Sequence, residues 1–138
     1  DAKKNKLTSV TCWGSGSPLR EFLYVEDLAE ACIFAIDNWN PTSVDAPKDK
    51  NGKTLVWLNV GTSCEISIKN LAEMISDLVG FNGKILWDKQ KPDGTPRKKL
   101  NTMRLEQLGW EAKTDLKEGI IKTIKIYNED LENNKIRN

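Results

Sequence analysis

Ile68, Leu71, Ala72, Ile75, Leu78 and Val79 lie on one stripe of a helix, framed by Ser67 before it and Gly80 after it. A serine hydroxyl can accept a hydrogen bond from the unpaired N–H groups of a first turn, and glycine can take the left-handed conformation that ends a helix. This stripe predicts a helix over 67–79, the element that most constrains the fold. Short β-prone segments surround it: Leu7–Trp13 before a Gly/Pro turn, the nearly continuous apolar run Leu55–Val60 before Gly61, and Lys84–Trp87. A run without alternation suits a strand covered on both faces, as in a parallel sheet. Strands are therefore expected near 8–13, 55–60 and 84–87, with further β character at Phe22–Val25. Helices are expected near 26–39, 67–79, 102–108 and 115–132, with Asp115 opening the last. Strands alternating with helices make an α/β chain.

The helix at 26–39 is apolar around much of its circumference, which predicts burial on more than one side; Glu26 and Asp27 suit the dipole of its first turn. Residues 40–53 read as an exposed loop and 132–138 as a polar, frayed tail. The chain of 138 residues suits one domain, read as a segment cut from something longer, since it opens Asp1-Ala2-Lys3 with no initiator Met. Its 21 basic and 20 acidic residues nearly cancel, so no general field favours nucleic acid or an anionic membrane, and no apolar run reaches membrane-spanning length. Three scattered cysteines, Cys12, Cys32 and Cys64, fit neither a disulfide framework nor a zinc cluster; they read as buried thiols in a reducing cytoplasm.

Two loops carry the chemistry. Trp13-Gly-Ser-Gly-Ser-Pro-Leu-Arg20 and Lys91-Pro-Asp-Gly-Thr-Pro-Arg-Lys98 each set a cation beside a Gly/Pro-shaped turn, so that donors can converge on an anionic, hydroxyl-rich ligand. Arg20 can fork onto a diphosphate, or equally pair with Glu21 or Asp27. Asp93 can accept from a hydroxyl or a base N–H, or bond its own backbone in an ordinary turn. Trp13 can offer a ring face, although five tryptophans make core packing the usual role. Gly14-x-Gly16 is not a dinucleotide fingerprint, because Leu19 stands where the third glycine belongs and Pro18 interrupts any helix start. The chain has no histidine, and neither tyrosine has a lysine four residues on, so no catalytic, cofactor-binding or metal-binding residue is assigned.

These two loops, with Arg20-Glu-Phe-Leu-Tyr-Val-Glu-Asp27, Leu58-Asn-Val-Gly-Thr62 and Leu105-Glu-Gln-Leu-Gly-Trp110, resemble the C-terminal part of the GDP-L-fucose synthase family, extended short-chain dehydrogenase/reductases. The likeness runs from about Val10 to Leu131. It implies that residues 1–138 form a substrate-binding C-terminal segment lacking most of the Rossmann core, with some elements completing an N-terminal cofactor domain that is absent. The family reaction epimerises GDP-4-keto-6-deoxy-D-mannose at C3 and C5 and then reduces C4 with NADPH. NADP and the catalytic groups would belong to that N-terminal domain, and the isolated chain would be inactive and prone to self-association. Trp13, Arg20, Asp93 and Lys98 match the family's substrate contacts, with Arg20 and Lys98 suited to the diphosphate. Alternatives are another nucleotide-sugar epimerase or reductase, or a stand-alone GDP-sugar-binding module.

Overall fold

A computed structural model describes residues 1–133 and Lys135. In chain order the elements are β1 (Ser9–Trp13), β2 (Leu19–Arg20), α1 (Val25–Asn38), β3 (Ile66–Ser67), α2 (Ile68–Val79), β4 (Lys84–Asp88), β5 (Arg97–Lys98), α3 (Met103–Gln107) and α4 (Leu116–Glu132). Of the tail read as frayed, Asn134 and 136–138 lie outside the described residues. Among the described residues no helix is long and apolar enough to cross a membrane.

The strands form two small sheets. β1 and β4 run parallel in register from Ser9↔Lys84 to Trp13↔Asp88. β2 lies between β3, antiparallel to it, and β5, parallel to it. α2 behaves as its stripe predicts: the Ser67 hydroxyl accepts from Asn70 N–H, and Gly80 closes the helix at φ +65°. α4 starts at Asp115, whose carboxylate accepts from Glu118 N–H. The core is Ala31 of α1, Leu105 of α3 and Trp110, flanked by Leu23, Phe34, Leu58, Val60 and Ala112.

Four expectations need correction. No strand forms at 55–60: Leu55 and Val60 turn inward, while Val56 and Trp57 are 75% and 55% exposed. Its apolar residues serve the helix core, since Leu58 and Val60 pack on the Ala31–Leu105–Trp110 cluster. An apolar run has the same composition whether it joins a sheet or packs on helices; only a neighbouring ladder makes it a strand. Phe22–Val25 is not a strand either, for Tyr24 caps α1 and β pairing falls instead on Leu19–Arg20. α1 is not buried on several sides, because Val25, Leu28, Ile33 and Ile36 are exposed and only Asp27 and Ala31 are buried. Nor are the cysteines buried: Cys32 lies on that open face of α1, Cys64 is exposed in the turn before β3, and Cys12 is half-buried.

Candidate functional site

The two loops singled out in the sequence leave the same rung of the β1–β4 pair. Trp13 and Asp88 are register partners, and the Asp88 carbonyl accepts from both Gly14 N–H (2.9 Å) and Lys91 N–H (3.1 Å). Trp13 is 73% exposed, and Lys91 Nζ stands 5.4 Å from its ring centroid. That places a cation and an open aromatic face together at the sheet's end. The loops are then tied by Asp93, which accepts from Ser15 N–H at 2.8 Å through Oδ1 and from Ser15 Oγ at 2.7 Å through Oδ2. Asp93 is thus neither a self-bonded turn residue nor free of partners, and the Ser15 hydroxyl, followed by the Ser15 N–H, holds its carboxyl below the ordinary aspartate range. Gly14 has to be glycine here: at φ +79° a Cβ would sit 2.3 Å from Asp93 Oδ1.

Beyond the loops the chain pairs β2 with β5, bonding Leu19 N–H to the Pro96 carbonyl at 2.9 Å and setting Arg20 opposite Lys98. Register partners share a face, whereas successive strand residues alternate. Arg20 and Lys98 therefore share one side. Leu19 and Arg97 take the other, where Arg97 clasps Glu65 through Nε (2.9 and 3.0 Å) and Nη2 (2.5 Å). That Arg97 hydrogen bond holds the Glu65 carboxyl below its ordinary range. Arg20 Nη1 donates to the Leu19 carbonyl at 2.6 Å, and its Nη2 would lie 3.0 Å from a Cβ on Gly94. The alternative in which Arg20 pairs with Glu21 or Asp27 is not realised, because both carboxylates are spoken for. Glu21 accepts from Thr62 N–H (2.5 Å), Ser63 N–H (2.8 Å) and Leu100 N–H (3.0 Å). Buried Asp27 accepts from Lys113 N–H, Thr114 N–H and the Thr114 hydroxyl.

The structure thus brings Arg20 and Lys98 together across the β2–β5 rung and Trp13 and Asp93 together at the loops that leave the β1 end, with Gly94 beside Arg20 linking the two pairs. The cleft of about 560 Å³ beside β5 is lined instead by Ser63, Arg97, Lys99, Asn101, Thr102 and Glu106, among others. Its Arg97 is already committed to Glu65, which leaves Lys99 as the cleft's uncommitted cation, whereas Arg20 and Lys98 stand as a pair across the β2–β5 rung. A dinucleotide does not fit the Gly14–Gly16 turn: Asp93 fills the space beside Gly14, and the Trp87 ring fills that beside Gly16, 2.7 Å from a Cβ there. No helix N-terminus follows to receive a pyrophosphate, since the chain runs into β2. Sequence reasoning missed Ser15, Gly94 and Glu21. The Gly-Ser-Gly and Pro-Asp-Gly patterns mark turns, but nothing in a single sequence shows that residues 78 positions apart meet, as Ser15 and Asp93 do.

Residues 1–46 match the NAD dependent epimerase/dehydratase family. The chain is 44% identical over 131 residues to the probable GDP-L-fucose synthase 1 of Oryza sativa subsp. japonica, covering 95% of this chain and 36% of that protein. It is 37% identical over 130 residues to the GDP-L-fucose synthase of Escherichia coli K12, covering 94% of this chain and 39% of the relative. Among solved structures, the GDP-L-fucose synthetase of Naegleria fowleri bound to NADP superposes with a TM-score of 0.76 at 27% identity, over 95% of this chain and 37% of that one. A GDP-6-OMe-4-keto-L-xylo-heptose reductase from C. jejuni superposes with a TM-score of 0.77 at 32% identity, over 89% of this chain and 34% of that one. The chain spans little more than a third of the length of these relatives. Over nearly its whole length it is an α/β segment matching the C-terminal third of GDP-L-fucose synthases, within the extended short-chain dehydrogenase/reductases.

Proposed function

We propose that residues 1–138 are the substrate-binding segment of a GDP-L-fucose synthase, holding a GDP-sugar at the open edge formed by Trp13, Arg20, Asp93 and Lys98. The observation that carries this reading is the pairing of β2 with β5, which sets Arg20 and Lys98 on one face beside the loop that Ser15 and Asp93 join to Trp13. A guanidinium offers a planar fork and an ammonium a point charge, a combination suited to the two phosphates of a nucleoside diphosphate. Exposed Trp13 offers a ring face for stacking against base or sugar. Asp93 keeps lone pairs beyond its two Ser15 bonds with which to accept from a hydroxyl or a base N–H.

The reaction that the family resemblance implies is epimerisation of GDP-4-keto-6-deoxy-D-mannose at C3 and C5 and reduction at C4 with NADPH. This chain's contribution is binding and orientation: the diphosphate is neutralised and the sugar held still, while NADP and the proton-transferring groups belong to an N-terminal Rossmann domain. The outer face of α1, with Ile33 and Ile36 61% and 82% exposed, is where such a domain would bury apolar surface. Adding GDP to the isotope-labelled chain and following its NMR spectrum tests the reading. Shifts are expected at the Trp13 indole and the Ser15, Gly94 and Lys98 amides, without NADPH turnover of the keto-sugar. Shifts centred on Ser63, Asn101 and Thr102 would refute it in favour of the cleft beside β5.

A further inference from the structure

Ser15 is not among the residues read above as touching the ligand, yet its hydroxyl and N–H are fully committed. Its hydroxyl proton goes to Asp93 Oδ2 at 2.7 Å, so the Ser17 hydroxyl, 2.7 Å from Ser15 Oγ, must be the donor of that pair. Ser17 N–H also donates to Ser15 Oγ at 3.1 Å. One donated and two accepted hydrogen bonds exhaust a hydroxyl, and Ser15 N–H is taken by Asp93 Oδ1. The Ser15 hydroxyl and N–H therefore have nothing left to offer a ligand; their bonds go to the neighbouring loop and to the residue's own turn. The residue after Asp93 is Gly94, whose missing side chain lets the loop lie against Arg20, a Cβ there falling 3.0 Å from Nη2. The polar chain from Ser17 through Ser15 to Asp93 thus ends where the loop touches the guanidinium.

We infer that Ser15 is a positioning residue of the anion site: acting through Asp93, it holds the 91–96 loop against Arg20 and so fixes the guanidinium beside Lys98. This rests on the reading that Arg20 and Lys98 hold a diphosphate. Without the clasp the loop loses both bonds that anchor its tip to the β2 side, and Arg20 is left with its Leu19 tether alone. The guanidinium then spends less time in the geometry that forks onto phosphate, and affinity falls without loss of any charge.

The test is calorimetric titration of GDP into the 138-residue chain and four variants. Ser15→Ala is expected to weaken GDP binding about fivefold to tenfold, the scale of one hydrogen bond. Ser15→Thr, which keeps the hydroxyl, is expected to restore it to within about twofold of the parent, a rescue that generic destabilisation would not give. In an Asp93→Ala background, Ser15→Ala should cause no further loss, because its effect runs through the missing carboxylate. Gly94→Ala leaves the clasp intact but crowds Arg20 Nη2, and should weaken GDP binding on its own. Losses that multiply in the Ser15→Ala/Asp93→Ala double variant, or unchanged affinity in Ser15→Ala or Gly94→Ala, would overturn the positioning role while leaving the diphosphate reading intact. Failure of the unsubstituted chain to bind GDP would overturn both.

Discussion

Replacing Glu21 by Gln keeps the shape of a side chain that joins the three parts of the site's scaffold and changes only what it can accept. The Glu21 carboxylate takes Thr62 N–H and Ser63 N–H on Oε1, at 2.5 and 2.8 Å, and Leu100 N–H on Oε2 at 3.0 Å. It thereby fixes the turn before β3 and the residue after Lys99 to the strand that carries Arg20. A glutamine carbonyl can retain the first two bonds, but its NH₂ must then face the Leu100 N–H, donor against donor. One charge-assisted bond, about 1.5–3 kcal/mol, is lost and the others lose their charge assistance. Leu100 is exposed, so water can satisfy its N–H and the penalty for an unpaired donor is small. The expected destabilisation is about 2 kcal/mol, and about 3 kcal/mol for Glu21→Ala, where all three donors lose their partner. With an m-value of about 2 kcal/mol/M, urea unfolding followed by tryptophan fluorescence should show Glu21→Gln lowering the midpoint by about 1 M. A midpoint within about 0.2 M of the parent would refute the claim that this carboxylate holds the scaffold.

The Asp93 carboxyl titrates below its unfolded value, so its contribution to stability is complete above the ordinary aspartate range and is lost as pH falls through the depressed folded value; Ser15→Ala should flatten that acid-side loss in pH-dependent unfolding curves. Leu105 is 1% exposed at the centre of the core, and Leu105→Ala should cost about 3 kcal/mol in denaturant unfolding, a loss under about 1 kcal/mol showing that the cluster does not organise α1 and α3. The open face of α1 should make the isolated chain bind a hydrophobic dye and self-associate in a light-scattering concentration series; Ile33→Lys with Ile36→Lys should suppress both, and a dye-free monomeric parent would show that this face needs no cover.

What could be read directly from the residues follows the range of the interactions. α2 and α4 were legible because their caps and stripes are local: Ser67, Gly80 and Asp115 act on N–H and C=O groups within a turn of themselves. The run 55–60 misled because an apolar composition records burial and not its partner; Leu58 and Val60 pack against Ala31, Leu105 and Trp110, not in a sheet. α1 misled in the opposite sense, its open face carrying the apolar residues of a buried one. At the site, the donors and the Gly/Pro turns around Arg20 and Lys98 could be named from residue chemistry, and the structure sets those two opposite each other. The Ser15–Asp93 clasp, the Glu21 tie and the Arg97–Glu65 clasp could not, since each joins residues far apart in sequence through side chains that would look equally natural facing solvent.

The central claim is that Arg20 and Lys98 together hold a diphosphate. Titrating GDP calorimetrically into the 138-residue chain and into Arg20→Ala and Lys98→Ala tests it most directly. A charged donor to phosphate at an open edge contributes about 0.5–1.5 kcal/mol, so each substitution should weaken GDP binding roughly twofold to tenfold. Binding of GDP that neither substitution changes, or no binding by the parent chain, would contradict the account.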